Sequence, residues 1–289
     1  MGLLLAGLSS LCFVALDVLR KILGNRLNAV DIVIGLNLGS ATVVALVLAL
    51  QGLGTWDSTF IILAAVESVT FTIASLLYVR AVTISPLSLT IPYLSFTPVV
   101  SAVVAFLVLG ERPSATGLLG IGLVVAGALA LHLGESYRVK ALLSAPFREP
   151  GSWMMLLVAT IWGTTTSIDK VAISHGSEAL LAFSLTAGSS AILVGLRLWK
   201  SGPSDQSFQW RDRKIISLLL LAALIAGTAV LCQFFAYREL FVAYVETIKR
   251  AGGIASVLIG VFAFGEGGFR NRFPAAVLMV IGIALIMFR

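Results

Sequence analysis

The chain has 289 residues, 58% of them hydrophobic and only 12% charged, with a net charge of +6. A soluble domain carries roughly 25% charged residues, so these charges are too few to coat a globule and a water-soluble fold is excluded. The pI near 9.6 does not point to nucleic acid either. No stretch interleaves aromatic and basic residues as single-strand binders do, and excess Lys and Arg are what the cytoplasmic loops of a membrane protein carry.

A spanning helix needs about 20 mostly apolar residues. Ten such stretches are predicted, at 2–23, 30–51, 58–82, 87–109, 113–133, 151–174, 178–199, 214–238, 241–264 and 271–288, joined by short connections. The opening Met-Gly-Leu-Leu-Leu has no basic region, and Leu11 before Cys12 is no small-residue cleavage site, so the first stretch is expected to stay as a span. At its end Asp17, Arg20 and Lys21 are expected to snorkel to the interface or to take part in gating. Span 2 carries Asn37, a candidate for interhelical hydrogen bonding.

Span 3 holds Glu67 inside the apolar run 60–77. An ionisable group at membrane depth costs several kcal/mol unless it faces a bundle interior, a cavity or a partner. By helical spacing it shares a face with Thr70, Phe71, Ala74 and Tyr78. It is a proton or cation site or the contact for a substrate amine; the alternative is a carboxylate paired with a base to fix packing. Span 4 contains Pro92, Tyr93 and Pro98. Each Pro removes a helix hydrogen bond, which predicts a kink, and such breaks are tolerated beside protein or a wet cavity. In span 5, Gly122, Ala126 and Ala130 make a small-residue stripe expected to serve packing.

Residues 134–150 form the longest connection and the expected joint between two five-span halves. Span 6 carries Trp162-Gly163-Thr164-Thr165-Thr166, then Asp169 and Lys170. The hydroxyls can bond a ligand or their own helix, and back-bonding is favoured; Asp169 and Lys170 are read as interfacial, like Asp17 and Arg20. Span 8 adds Gln233 and Tyr237, as ligand contacts or as interhelical glue. In span 9, Glu246 and Arg250 have the favourable order for an intrahelical ion pair. Lys249 is then the charge left over, to neutralise Glu67, to meet a carboxylate on the substrate, or to lock spans 3 and 9 together. Gly252, Ser256 and Gly260 form a second small-residue stripe.

The halves repeat in order. Gly110-Glu111 ends span 4 as Gly265-Glu266 ends span 9, and Ser40-Ala41 matches Ser190-Ala191. An odd number of spans per half makes the repeat inverted, a transporter design with its site at the midplane between halves. Counting basic residues in the connections gives eleven in the odd-numbered ones against two in the even ones and termini. That places odd connections in the cytoplasm and both termini outside. Cys12 and Cys232 lie in apolar runs and read as small core residues. His132 and His175 show no metal-ligand spacing, no Walker loop is present, and no nucleophile has a credible base, so neither ATP hydrolysis nor another enzyme activity is expected.

Leu109-Gly110-Glu111-Arg112-Pro113, followed by Gly120-Ile121-Gly122 and Ala126-Gly127-Ala128, resembles the turn and glycine-rich fifth helix of EamA-like members of the drug/metabolite transporter superfamily. Phe264-Gly265-Glu266 repeats the turn, with Gly267 where a basic residue is usual. Trp162-Gly163 through Lys170 is similar to the family's opening-helix pattern, Lys249-Arg250 to a basic pair of some members, and Pro92 and Pro98 to its fourth helix. The resemblance implies an all-α integral membrane protein of ten helices: one five-helix repeat over 1–136, a connecting loop over 137–150 and a second repeat over 151–289. It also implies export or exchange of small metabolites, often amino acids or their relatives, and termini in the cytoplasm, the reverse of the charge count.

The expected function is therefore a secondary transporter of a small polar metabolite, working by alternating access, in a prokaryotic inner membrane. Its partners are a small-molecule substrate, the lipid bilayer and a coupling proton or ion, with no cofactor, metal or nucleic acid. Its expected site is Glu67, Tyr78, Tyr93, Trp162, Gln233, Glu246, Lys249 and Arg250. The alternatives are a nucleotide-sugar or sugar carrier and a non-transporting structural or signalling subunit.

Overall fold

The computed structural model describes residues 1–24, 26–85, 90–133, 149–200, 212–252 and 269–287. The helices are α1 (Gly2–Gly24), α2 (Ala29–Gln51), α3 (Ser58–Ile84), a 3-10 turn (Ile91–Phe96) running into α4 (Thr97–Leu109), α5 (Ala115–Leu133), α6 (Pro150–Ser174), α7 (Glu178–Lys200), α8 (Arg213–Glu239), α9 (helical over 242–252) and α10 (Phe269–Met287). Among the described residues there is no strand. The protein is an all-α ten-helix bundle, and α1, α2, α3, α7 and α8 are each long and apolar enough to cross a bilayer.

Polarity runs from inside to outside, the reverse of a soluble protein. Leu4, Leu107 and Leu198 are more than 70% exposed, whereas Glu67 and Glu246 are buried at 1% and 0%. In hydrocarbon this is the favourable arrangement: Leu faces lipid and the carboxylates face the bundle interior.

The helices pair across the two halves. α1 packs on α8 and α3 on α6, while α2 packs on both α7 and α8, α3 on α7 and α5 on α10. Exchanging the first five helices for the last five turns α1–α8 into α6–α3 and α2–α8 into α7–α3, and returns α2–α7 and α5–α10 to themselves. That is the packing of a two-fold relation.

Local chemistry explains where helices stop. Asn28 and Asp57 cap α2 and α3 by accepting N–H bonds from Asp31 and Phe60. Gly110 ends α4 at φ +67°, a left-handed position that favours glycine. Pro92 and Pro98 do not break a helix interior as expected. Each stands in the first turn, of the 3-10 segment and of α4 respectively, where a missing N–H costs nothing. The stretch is therefore interrupted by a change of helix type.

The stripe expected on α5 is corrected. Gly122 has nothing within 4 Å of an added Cβ, and Ala126 and Ala130 are exposed. The packing glycines are Gly120 and Gly127, where a Cβ would lie 2.6 Å from the Gly282 carbonyl oxygen and 2.5 Å from Met279. α5 is apolar on all sides, so its small residues alone do not reveal the inward face. On α9, Gly252 does pack closely, against Ser10 of α1; Ser256, Gly260 and the Gly265-Glu266 turn lie outside the described residues. Cys12 and Cys232 are free thiols.

Candidate functional site

A cavity of about 410 Å³ lies inside the bundle, within the range of small-molecule sites. Six of the eight expected residues line it: Glu67, Tyr78, Trp162, Gln233, Lys249 and Arg250. The other two stand behind the wall. Tyr93 is buried and hydrogen-bonded to Ser152, while its neighbours Leu94 and Ser95 reach the cavity. Glu246 is fully buried and holds the wall in place.

Glu246 organises a polar cluster across α8 and α9. Lys249 Nζ donates to Glu246 Oε1 at 2.7 Å and to Gln233 Oε1 at 2.8 Å. The Tyr237 hydroxyl donates to the same Glu246 oxygen at 2.8 Å and accepts from Gln233 Nε2 at 2.6 Å. Arg250 stands 3.7 Å from Glu246 Oε2, too long for a hydrogen bond. Lys249 is thus not the charge left over, as expected, but the tightest partner of Glu246. Positions i+3 and i+4 both face residue i on a helix, and here the shorter contact goes to i+3.

At the other end of the cavity, aromatic rings and an ion pair come together. The Tyr78 hydroxyl donates to Asp17 Oδ1 at 2.8 Å, and Arg20 Nη1 donates to the same oxygen at 3.2 Å. The Arg20 guanidinium lies 5.0 Å from the centre of the Tyr78 ring, which is 5.6 Å from Trp162. Such cation–π stacking holds a desolvated cation in place. Asp17 and Arg20 are therefore cavity residues and not interfacial anchors. The Asp17 side chain is 42% exposed and lines the cavity.

Asp169, expected at the interface, is a cavity residue too. It is 5% exposed and lines the cavity beside Trp162, Thr165 and Thr166. These four positions share one helical face, at i, i+3, i+4 and i+7, which is the signal that would have found it. Thr164, Thr165 and Thr166 bond back to carbonyls of their own helix, as favoured. Asn37 donates to Ser189 across α2 and α7 at 2.9 Å and also lines the cavity.

Lys170 does not snorkel either. Its Nζ donates to Glu111 Oε1 at 2.7 Å and to the Leu240 carbonyl at 2.9 Å, and Glu111 Oε2 accepts the Val242 N–H at 3.0 Å. The Gly110 turn so places Glu111 that it ties α4 to α6 and to the start of α9. Asp57 with His175 at 2.8 Å and Arg238 with Glu178 at 3.4 Å join neighbouring chain ends on the same face. The even-numbered connections and the N-terminus gather there, closing one end of the bundle. Asp31 with Arg197, and Ser85 with Gly151 at 3.2 Å, mark the opposite face.

The family model described as the EamA-like transporter family matches residues 1–133 and 149–288. A solved chain described as "Crystal structure of protein" is similar with a TM-score of 0.78 and 15% identity, over 99% of this chain and 98% of that one. At that identity the likeness shows the fold alone. No curated protein matches.

Proposed function

The chain belongs to the EamA-like transporter family, and we propose that it carries a small polar metabolite, an amino acid or related solute, by alternating access through the central cavity. The family is one of membrane transporters of small solutes. Export or exchange, the coupling of either to an ion, and residence in a prokaryotic inner membrane are part of this proposal. So is its division into repeats at 1–136 and 151–289 joined by 137–150.

One observation carries the reading. A cavity of about 410 Å³ sits among helices that expose leucine outward, and both acids and bases line it. A wall of mixed sign suits a zwitterion. Glu67 and Asp169 offer acceptors for an ammonium, and Arg250, Arg20 and Lys249 offer donors for a carboxylate. Tyr78 and Trp162 supply an aromatic wall between them. The basic connections favour a cytoplasmic position for the face that carries Arg26, Arg197, Arg213 and Lys214; accessibility of a tag on the N-terminus in intact cells tests this.

Purified protein in liposomes, offered a panel of radiolabelled neutral amino acids, is expected to accumulate at least one. Glu67→Gln should lower that uptake by a factor of ten or more, since removal of one buried charge-assisted bond costs roughly 1.5–3 kcal/mol. Uptake that survives both Glu67→Gln and Lys249→Ala unchanged would remove the site from this cavity.

A further inference from the structure

The charges that line the cavity balance, Asp17, Glu67 and Asp169 against Arg20, Lys249 and Arg250, but Glu246 behind the wall adds one more negative charge. Asp17 and Arg20 on α1 close on each other, and on α9 Lys249 and Arg250 both face Glu246. Glu67 of α3 and Asp169 of α6 make no ion pair among the described residues. Three carboxylates, Glu67, Asp169 and Glu246, therefore stand against two cations, Lys249 and Arg250. The groups that face them from the other walls are uncharged: Asn37 from α2, Thr186 from α7, Gln233 and Tyr237 from α8, and Tyr78 from α3 itself. Lys170, next to Asp169, is already held by Glu111. Among the described side chains one negative charge is left over.

Geometry places that excess on the pair. Glu67 and Asp169 line the same cavity and are 1% and 5% exposed. Glu67 Oε1 and Asp169 Oδ1 are buried with no hydrogen-bond partner. Glu67 Oε2 has only a long contact, 3.4 Å, from Thr70. An uncompensated buried charge is expensive, and two like charges in one site more so. A single proton cancels the excess charge.

We propose that Glu67 and Asp169 form one two-carboxyl site that holds a single proton, and that the ammonium group of the cargo displaces it. The proton's O–H bond breaks as the ammonium arrives, the proton passes to water, and one positive charge replaces another. The second half rests on the carrier reading; the first does not. Exchange follows directly, since the pair is neutralised by proton or by cargo and not by both.

The protonated pair has an infrared signature that needs no transport. In detergent-solubilised full-length protein, a carboxylic C=O band should disappear on alkaline titration. Glu67→Gln and Asp169→Asn should each abolish it, because either change alone cancels the excess charge; Glu67→Asp should keep it. Phenethylammonium, added to wild type in weak buffer with a pH dye, should release about one proton per chain, and phenethyl alcohol none. Both single neutral variants should release none while remaining monodisperse. No titrating band in wild type, or a band that either single variant leaves intact, overturns the proton site. A band with the expected variant behaviour but no release overturns the exchange and leaves the site standing. Failure of uptake in liposomes leaves the band untouched, so the two readings fail separately.

Discussion

Asp57 shows how a single side chain ties two connections together. Its carboxylate accepts the Phe60 N–H at 2.9 Å, capping α3, and meets His175 Nδ1 at 2.8 Å from the connection after α6. The Phe60 N–H first, and His175 after it, hold this carboxyl below its usual range. A group whose folded value is depressed stabilises above its unfolded value, about 3.9 for Asp. That stabilisation is lost as pH falls through the lowered value. Melting followed from neutral to strongly acid pH should therefore show a steeper loss in wild type than in Asp57→Asn, which keeps a good cap but cannot titrate. Lys249 is a different case, because both partners are buried. Lys249→Ala should cost about 3–5 kcal/mol in unfolding free energy, as for any broken buried pair, and Lys249→Ala with Glu246→Gln should recover much of it. Thermal unfolding in detergent reads both. The sequence placed Glu246 and Lys249 one turn apart; it could not say that Gln233 and Tyr237, from another helix, would complete the cluster.

Helices α5 and α10 give the test at the scale of elements. Their contact rests on Gly120 and Gly282, each of which would bring a Cβ within 2.7 Å of the other's carbonyl oxygen. Backbone cannot yield as a side-chain tip does, so Gly120→Ala should separate the helices and destabilise by about 1–3 kcal/mol. Gly122→Ala, two residues on, meets open space and should stay within about 0.5 kcal/mol of wild type. Chemical unfolding of the pair measures the contrast, and equal effects would refute this assignment of the inward face. The positions of the spans were legible because hydrophobic length is a local property: expected and observed helix ends agree to within a few residues from α1 to α8, save the start of α4, expected at 87 and found at Thr97 after the 3-10 segment. The face each helix turns inward was legible where polar residues mark it, as Glu67 and Tyr78 do on α3, and illegible on α5, which has none between Thr116 and His132. Span 4 was misread in kind, since a Pro that breaks a helix interior and a Pro that opens a new helix look alike in sequence.

At the scale of the whole molecule, the end of the bundle that carries the even-numbered connections is tied shut. Glu111, Lys170 and the Leu240–Val242 backbone link α4, α6 and α9. With Cys12 and Cys232 replaced by Ser, a Thr166→Cys probe in sealed vesicles should react with a charged thiol reagent from the odd-connection face only. Adding Glu111→Gln should raise labelling from the opposite face several-fold, because one buried charge-assisted tie is worth roughly 1.5–3 kcal/mol. Equal labelling from both faces without that change would refute a closed end. Composition alone settled that this chain lives in lipid, and the order of its apolar runs settled ten helices, since both follow from the length and polarity of short segments. Which acids share a wall was decided only in three dimensions. Glu67 and Asp169 lie about a hundred residues apart, and they meet because α3 packs on α6, a pairing between halves that no local pattern encodes. Coulomb interaction depends on distance in space, so the excess charge of the cavity became visible only once the fold had brought its members together.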